Sequence, residues 1–456
     1  MNLSRTALAV LSLLYSTAVM ADALPLEQRI DAALAPMFKA DAPGATVIVT
    51  QDGKPLFRKA YGQASVDAKT PMQPDMQLRV GSMTKQFTAV AILMLADQGK
   101  LSLQDDVTRF LPDYPTKGKR ITIENLIHHT SGIRNYTNMG AFWSIADEDK
   151  TVDQMIDFFK NEPMDFAPGE RWGYSNSGYF LLGAIIEKAS GMRYADFIAK
   201  NIFEPLDMHD TAYEGHERSA RRRIAGHNKG FFSGFKEVNA ISMSLPYAAG
   251  AIVSTVDDLA RWDAAITAGK LLKPETWKQA FVPCSLPKDA HCVYGYGWNI
   301  GKLRGHKAIA HGGDIPGFNA DAVRLPDEKI YVAVLSNVNR DVVNTSMAAQ
   351  LAAAIAVGNP FPEQKVVKLA PADLEGLVGT YKVADGNIRS ISRKGDKLSW
   401  DRDGRPSLTL TPYAMDGFYL GGTLTTVEFR RGADGVAKGF TMHQGIGDMS
   451  AERVAK

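Results

Sequence analysis

The 456-residue chain lacks an excess of charge of either sign. Its 52 lysines and arginines face 50 acidic residues, which leaves a net charge of +2. This balance gives no electrostatic attraction to nucleic acid or to an anionic membrane surface. The one local basic cluster, the three arginines at 221–223, is interpreted as a solvated helix face. We therefore expect a small-molecule or peptide substrate as partner, with no nucleic acid and no stable membrane insertion.

Long hydrophobic runs are also missing, except at the N terminus. Residues 1–21 contain one early cation, Arg5, and an apolar run of about 14 residues, with Val19 and Ala21 at positions that suit a signal peptidase. The run is shorter than the roughly 20 apolar residues that span a bilayer. We expect residues 1–21 to be a cleaved signal peptide, and the mature protein to be exported to the periplasm or secreted.

Cysteine is nearly absent, because Cys284 and Cys292 are the only two in the chain. In an oxidising compartment, two cysteines that close a short loop favour a disulfide over free thiols. Such a loop stabilises the fold by roughly 2–3 kcal/mol in the loop-entropy model. No histidine lies near them with ligand spacing, so we interpret the pair as a local structural crosslink and not as a metal site.

Several catalytic motifs are missing as well. The chain has no GxSxG elbow, no HExxH motif, no P-loop and no glycine pattern for a dinucleotide after a strand. These absences argue against an α/β-hydrolase elbow, a zinc peptidase and a nucleotide-binding fold. The nine histidines are scattered, and the adjacent pair His128 and His129 is poorly placed to bind one ion. We expect no metal and no cofactor.

What the sequence does contain is ample material for a core, since 45% of its residues are hydrophobic and 22% are charged. Asp52-Gly53 between two apolar runs predicts a β-hairpin. Strand patterns return near the end of the first 360 residues, and helical patterns dominate between the two strand regions. This order predicts an α/β (α+β) sandwich, in which one antiparallel sheet is flanked by helices. The predicted helices include 24–40, 83–98, 176–191 and 345–358, and the later strands lie at 306–313, 318–326 and 329–337.

The C-terminal part of the chain has a different character. From about residue 371 to 456, short strand patterns alternate with turn signals such as Asp416-Gly417 and Asp434-Gly435. Turns at such close spacing predict a small antiparallel all-β barrel or sandwich. The proline-bearing linker at 358–371 separates this part from the rest. We predict domains at 22–360 and 361–456.

The first candidate catalytic motif is Ser82 with Lys85, at the start of the predicted helix 83–98. Residues three apart lie on the same face of a helix. A serine is a good nucleophile only when a base removes its proton, and lysine is such a base when burial keeps its amine neutral. The backbone N–H of Ser82 at a helix start also suits an oxyanion.

Two further motifs stand far from this one in sequence. Tyr174 and Asn176 precede an apolar helix, where a phenol and an amide are able to exchange protons and to orient a lysine. His311 and Gly313 lie at the end of a strand, where a substrate backbone has room to add as a strand. The backbone N–H after Gly313, which belongs to Asp314, is the candidate second oxyanion donor.

Taken together, these motifs resemble the penicillin-recognising serine hydrolases, whose boxes are S-x-x-K, S-D-N or Tyr-x-Asn, and K-T-G. This group includes class C β-lactamases, D-alanyl-D-alanine carboxypeptidases, D-aminopeptidases and β-lactamase-like esterases. The resemblance covers residues 28–357 and implies a β-lactamase/transpeptidase-like sandwich with an acyl-enzyme mechanism. It implies roles for four residues: Ser82 as nucleophile, Lys85 as general base, Tyr174 as proton shuttle and Asn176 as orienting amide. The C-terminal barrel resembles the lipocalin-like appendage of some relatives.

One departure from the family pattern concerns substrates. The third box here is His-Gly-Gly in place of Lys-Thr-Gly, so the permanent cation and the hydroxyl are both missing. This argues against a dedicated β-lactamase and favours the peptidases and esterases. We expect His311 to titrate near pH 6.5 and to influence activity. His129 is expected to be structural, while Trp143 and Trp172 are assigned either to the cleft or to the core.

Other functions remain open at this point. A penicillin-binding sensor acylates with little turnover, and a carrier would hold a ligand in its barrel. The presence of Ser82, Lys85, Tyr174 and Asn176 together favours an enzyme, because a protein that only binds has no need of a base beside its serine. Esters, D-amino-acid amides, D-alanyl peptides and β-lactams all pass through the same kind of acyl-enzyme, so the sequence does not choose among them.

Overall fold

The structure, a computed structural model, describes residues 24–216, 224–230, 234–238, 241–287, 292–383, 387–402 and 405–454. The predicted signal peptide and the arginines at 221–223 lie outside the described residues. Within the described ranges, no helix has the length and apolar character needed to cross a membrane.

The first part of the chain, called the body (residues 24–356), is built on one six-stranded sheet. Its order is β10-β11-β12-β13-β1-β2, and each neighbouring pair is antiparallel. Strand β1 pairs with β13 from Ala45 opposite Ser336 to Gln51 opposite Ile330, so both ends of the body meet in this sheet. The predicted sandwich is therefore confirmed. The strands of the body are β1 Ala45–Gln51, β2 Lys54–Tyr61, β3 Gln63–Ser65, β4 Thr70–Pro71, β5 Leu78–Arg79, β6 Ala212–Tyr213, β7 His227–Lys229, β8 Phe235–Glu237, β9 Ile252–Ser254, β10 Asn299–Leu303, β11 His306–Ile315, β12 Phe318–Leu325 and β13 Ile330–Ser336.

The hairpin between β1 and β2 follows from its turn residues. Asp52 and Gly53 have φ angles of 50° and 74°, the left-handed conformation that two-residue hairpin turns require. Both faces of the sheet are covered, so its central strands β12 and β13 are buried along their whole length. The helices are α1 Leu26–Leu34, α2 Thr84–Asp97, α3 Ile123–Ile127, α4 Val152–Phe159, α5 Asn176–Ser190, α6 Tyr194–Ile198, α7 Val256–Thr267, α8 Pro274–Ala280, α9 Thr345–Ala356 and α10 Pro371–Glu375.

Helix α2 lies at the centre of the body. Helices α1 and α9 cover one face of the sheet, and α2 and α5 belong to the core on the other face. Nearly all of α2 is buried, including every residue from Thr84 to Leu93. A helix that is buried on nearly all sides belongs inside a core. Lys85 is in the first turn of α2, so it is carried into the interior.

The C-terminal part forms a closed eight-stranded antiparallel barrel, in which β14 pairs with β21 to complete the ring. The predicted all-β domain is confirmed, and of the two architectures proposed it is the barrel. Apolar side chains such as Trp400 and Phe440 fill its interior. The barrel contacts the body where the Lys302 N–H donates to the carbonyl of Ile446 at 2.7 Å. Its strands are β14 Gly379–Val383, β15 Ile388–Lys394, β16 Lys397–Arg402, β17 Arg405–Pro412, β18 Gly417–Leu420, β19 Thr426–Arg431, β20 Ala437–Gln444 and β21 Gly447–Arg453.

Two further expectations concern the covalent crosslink and the domain boundary. Cys284 and Cys292 form a disulfide with their Cα atoms 5.7 Å apart, which confirms the predicted pairing. The proposed boundary after residue 360 lies in the segment between α9 and α10, and its exact position stays a prediction.

Candidate active site

Ser82 and Lys85 lie together where α2 begins. Ser82 is partly exposed in a short 3-10 turn, Gly81–Met83, while Lys85 is fully buried. The turn leads directly into the helix, so a spacing of three residues brings Lys85 Nζ to 3.0 Å from Ser82 Oγ. The serine hydroxyl is thus within reach of an amine that has no contact with bulk water.

The surroundings of Lys85 favour its neutral form. Its Nζ donates to Asn176 Oδ1 and to the carbonyl of Ala249, both at 2.8 Å, and lies 4.9 Å from the centre of the Tyr174 ring. No carboxylate is among these partners. Burial lowers the pKa of Lys85 well below its ordinary value, because desolvation penalises an ammonium. The site therefore holds an amine that is able to accept a proton.

Tyr174 and Asn176 reach the same point from the start of α5. Asn176 is the first residue of this helix, and Tyr174 lies two residues earlier. Burial raises the pKa of Tyr174, although hydrogen bonding with Ser82 opposes that shift. The phenol therefore keeps its proton near neutral pH and lies at hydrogen-bonding range of the serine.

Sequence reasoning missed the residues that hold Asn176 in place. The backbone N–H of Asn176 donates to Asn135 Oδ1 at 3.0 Å, and its Nδ2 donates to Thr137 Oγ1 at 3.2 Å. Both partners lie in the Arg-Asn-Tyr-Thr-Asn stretch just after the His-Thr-Ser-Gly loop. A cluster of short polar side chains there was the available signal.

The HGG segment (His311, Gly312 and Gly313) runs beside the serine turn. A methyl group on Gly313 would lie 2.0 Å from the carbonyl oxygen of Val80 and 2.9 Å from the Ser82 nitrogen, so only glycine permits this approach. Strand β10 pairs with β11 only as far as Ala310. In the part of the chain that the structure describes, the outer edge of β11 beyond Ala310 has no strand partner. Such an edge is able to accept an extended substrate.

His311 is buried and behaves differently from the expectation. Its Nδ1 lies 2.6 Å from the carbonyl of Gly312 and its Nε2 lies 2.8 Å from the Tyr294 hydroxyl. A carbonyl only accepts, so Nδ1 carries the proton and Nε2 accepts from the tyrosine. Burial, with a further contribution from Lys85, lowers the pKa of His311 to about 3. The expected titration near pH 6.5 is therefore wrong, and the imidazole is neutral at physiological pH.

The remaining aromatic candidates divide between the cleft and the core. His129 is buried, and its Nδ1 accepts from the Ser175 N–H at 3.1 Å, as a loop support would. Trp143 is 59% exposed and lines the cleft. Trp172 is partly buried and packs against His129 and Tyr294 behind the site. Of the two tryptophans, only Trp143 is therefore positioned to touch a substrate.

A cavity of about 200 Å³ opens over Ser82. Its walls are mostly apolar, with Phe142, Trp143, Ile241 and Ile315 among them, and Asn176 and Asp314 add polar groups. In the described ranges, no cluster of three or more histidine, cysteine or acidic side chains is arranged to bind a metal ion. The arrangement therefore brings a serine hydroxyl, a desolvated amine, a phenol and a strand edge together in one small cleft.

Comparison with known proteins shows the family to which the chain belongs. The family model described as Beta-lactamase matches residues 26–356. The chain belongs to the β-lactamase family. Penicillin-binding protein 4* of Bacillus subtilis (strain 168) is 31% identical over 434 residues, which cover 90% of this chain and 94% of that protein. The D-aminopeptidase of Gluconobacter oxydans (strain 621H) is 27% identical over 346 residues, which cover 74% of this chain and 63% of that enzyme.

A solved structure extends the similarity to nearly the whole chain. The octameric penicillin-binding protein homologue from Pyrococcus abyssi superposes with a TM-score of 0.66 at 26% identity, covering 94% of this chain and 99% of that one. The resemblance and the fold expected from the motifs are confirmed. As a member of this β-lactamase family with a D-aminopeptidase relative, the protein is a serine hydrolase.

Proposed function

We propose that this β-lactamase-family protein is an exported hydrolase that cleaves amide or ester bonds through an acyl-enzyme on Ser82. Its substrates are D-amino-acid-type peptides and amides or carboxylic esters. The observation that carries the proposal is the buried Lys85 amine, 3.0 Å from Ser82 Oγ, with its pKa lowered by desolvation. An amine of this kind next to a partly exposed serine is placed to remove the hydroxyl proton.

In the acylation step, Ser82 Oγ attacks the substrate carbonyl while Lys85 takes the hydroxyl proton. The carbonyl oxygen becomes an oxyanion, for which the backbone N–H groups of Ser82 and Asp314 are the proposed donors. The bond to the leaving group then breaks, and Tyr174 passes a proton to that group as it departs. Asn176 holds Lys85 in position through its Oδ1.

In the deacylation step, water attacks the ester carbon of acyl-Ser82 and gives up a proton to the Lys85–Tyr174 pair. The ester bond breaks, the product leaves as a carboxylic acid, and Ser82 recovers its proton. Both steps use the same groups in reverse order, as general acid–base catalysis requires.

The HGG segment supports the choice of substrate class. His311 is neutral and buried, and Gly312 has no side chain, so this segment supplies no positive charge for the carboxylate of a β-lactam. The D-aminopeptidase relative supports amides of D-amino acids as one substrate class. Export is supported by the composition of residues 1–21 and by the Cys284–Cys292 disulfide.

The test is to replace Ser82 with alanine and to treat the unaltered protein with a serine-reactive phosphonate. We expect the variant to lose turnover of aryl esters and D-amino-acid amides, and the phosphonate to be found on Ser82 by peptide mapping. Ser144→Ala, which removes an exposed hydroxyl on the cleft side, is the matched control and should retain activity. An adduct on another residue contradicts the proposal, and a stoichiometric burst without turnover supports the alternative of a sensor.

A further inference from the structure

A permanent cation approaches the HGG segment from a part of the chain that the motifs do not include. Arg340 lies between β13 and α9, and its Nη2 is 3.3 Å from the position that a methyl group on Gly312 would occupy. The absence of a side chain at residue 312 therefore leaves room for a guanidinium. The third box has no permanently charged side chain in its own sequence, but Arg340 brings a positive charge close to it in the folded protein.

Asp314 binds this cation. Arg340 Nε donates to both carboxylate oxygens of Asp314, at 3.2 Å and 3.0 Å. Asn319 Nδ2 donates to Oδ1 of the same carboxylate and is itself fully buried, so the position of Asp314 is fixed. Gly312 and Asp314 are two residues apart on β11 and therefore face the same side of the sheet. Gly313, the residue between them, faces the serine turn, so the ion pair lies on the other face of the β11 edge and borders the cleft through Asp314.

The other basic groups at the site have lowered pKa values. Burial lowers the pKa of both Lys85 and His311, whereas the guanidinium of Arg340 is a permanent cation near the cleft. Its partner Asp314 lines the cleft. The Arg340 side chain is 40% exposed and the Asp314 side chain is 57% exposed. A substrate carboxylate that approached Arg340 would meet Asp314 first, and like charges at close range repel each other.

We propose that Asp314 is a specificity-determining residue that occupies Arg340 and so excludes substrates with a carboxylate next to the scissile bond. The inference rests on the proposed function, because it concerns the same cleft. Specificity of this kind arises from a repulsive group as much as from an attractive one. The cleft then selects neutral or cationic acyl donors and leaving groups. Removal of the Asp314 charge should release Arg340 for a carboxylate.

The test compares matched aryl esters that differ only in charge. One pair has 3-carboxyphenol or 3-carbamoylphenol as leaving group on the same N-acetylglycyl donor. A second pair places the charge on the acyl side, as the 4-nitrophenyl monoester of hexanedioic acid and its terminal amide. The measured quantity is the ratio of kcat/KM for the carboxylate to kcat/KM for the amide, in which general losses of activity cancel.

A second acidic side chain near Arg340, that of Asp321, has to be kept from influencing this measurement. Asp321 Oδ2 lies 2.8 Å from the position that a methyl group on Gly312 would occupy, so it is also close to Arg340. Burial raises the pKa of Asp321 to about 7. Assays at about pH 6 keep most of Asp321 protonated while the substrate carboxylate stays ionised. Under these conditions, a change in the ratio on substitution of Asp314 reports the negative charge of Asp314 and not that of Asp321.

We expect Asp314→Asn to raise the ratio by about tenfold or more in at least one pair. The double variant Asp314→Asn/Arg340→Gln should lose this gain, because the released cation is gone. Asp341→Asn removes a neighbouring exposed charge and should change the ratio by less than about twofold. An unchanged ratio for Asp314→Asn in both pairs overturns the inference, and so does a gain that survives in the double variant. Failure of the proposed function is distinct, because Ser82→Ala would then still hydrolyse both esters.

Discussion

The body and the barrel both have apolar cores but differ in the ionisable side chains that they bury. The body buries ionisable groups at its centre, among them Lys85, His129, His311 and Asp321. Among the described side chains after Pro371, Thr425 is the only buried polar one. Burial of an ionisable group costs free energy unless its charge is neutralised or paired. The body tolerates this cost where its proposed chemistry needs desolvated groups, whereas the barrel has the interior of a purely structural domain.

The largest effect is expected when the buried amine of Lys85 is removed. Lys85→Ala should lower kcat/KM for an aryl ester on the order of 10⁴-fold, because the nucleophile loses its base. Lys188→Ala, which removes an exposed lysine in α5, is the control and should leave kcat/KM nearly unchanged. Circular dichroism and thermal unfolding check that both variants fold. Retention of activity by Lys85→Ala would place the base elsewhere.

The pH profile of the unaltered protein examines the same amine without a substitution. Since Lys85 has to be neutral to act, kcat/KM for a neutral ester should fall on the acid side as this amine is protonated. The midpoint should lie well below the ordinary lysine pKa, because burial lowers it. The His311→Asn variant should keep the same acid limb, because the neutral imidazole does not titrate there. An acid limb that disappears in His311→Asn would show that His311 ionises after all.

Tyr174 should contribute less than the base itself. Tyr174→Phe removes the hydroxyl but keeps the ring that lies over Lys85 Nζ. We expect a loss on the order of 10²–10⁴ in kcat, the usual contribution of a positioned acid or base. The loss in kcat should be larger for amides than for aryl esters, because the amine that leaves an amide needs a proton and a phenolate does not. Tyr213→Phe, at a phenol whose hydroxyl donates to the Met243 carbonyl away from Ser82, is the matched control.

A pair of tryptophans applies the same change to each region. Trp400 lies in the barrel core, and Trp262 packs against Phe87 of α2 with ring centres 4.6 Å apart. Each is 1% exposed, so Trp→Ala should destabilise either region by about 3–5 kcal/mol. Only Trp262→Ala should also lower kcat/KM, by about tenfold, because it loosens the helix that holds Lys85. Equal losses of activity at a temperature where both variants remain folded would mean that the barrel participates in catalysis.

Local features of the sequence predicted the elements better than the contacts between them. The Asp52-Gly53 turn and the Ser82–Lys85 spacing depend on neighbouring residues, so sequence patterns were enough to predict them. The closure of the barrel depends on pairing between β14 and β21, at opposite ends of the domain, and turn spacing alone left a sandwich equally open.

The site shows the same division. The approach of Arg340 to Gly312 depends on three paired strands, β11, β12 and β13. The neutrality of His311 depends on burial beside Tyr294. The residues next to Arg340 and His311 in sequence indicate neither this contact nor this burial. The charge at the third motif could therefore not be predicted from sequence patterns.

The smallest expected effect concerns Asp321, whose carboxyl lies in a cavity between β11, α9 and the β20–β21 hairpin of the barrel. Burial raises its pKa from 3.8 to about 7, although Arg340 opposes the shift. Between these two values the folded protein holds a proton that the unfolded chain has released, so stability falls as pH rises through this range and stays reduced above it. Asn has nearly the shape of the protonated acid and never ionises.

Asp321→Asn should therefore raise Tm at about pH 8, and the gain should shrink toward zero at about pH 3, below both pKa values. Asp341→Asn, at an exposed position between β13 and α9, is the control and should show no gain that grows with pH. Thermal unfolding of the three proteins between these pH values provides the measurement. A gain of equal size at both ends would reflect better packing of the amide and not the ionisation of Asp321. A Tm of Asp321→Asn that falls below that of the unaltered protein, and falls further above pH 7, would contradict this prediction. It would mean that the ionised Asp321 carboxylate stabilises the body as the partner of Arg340 in a buried ion pair.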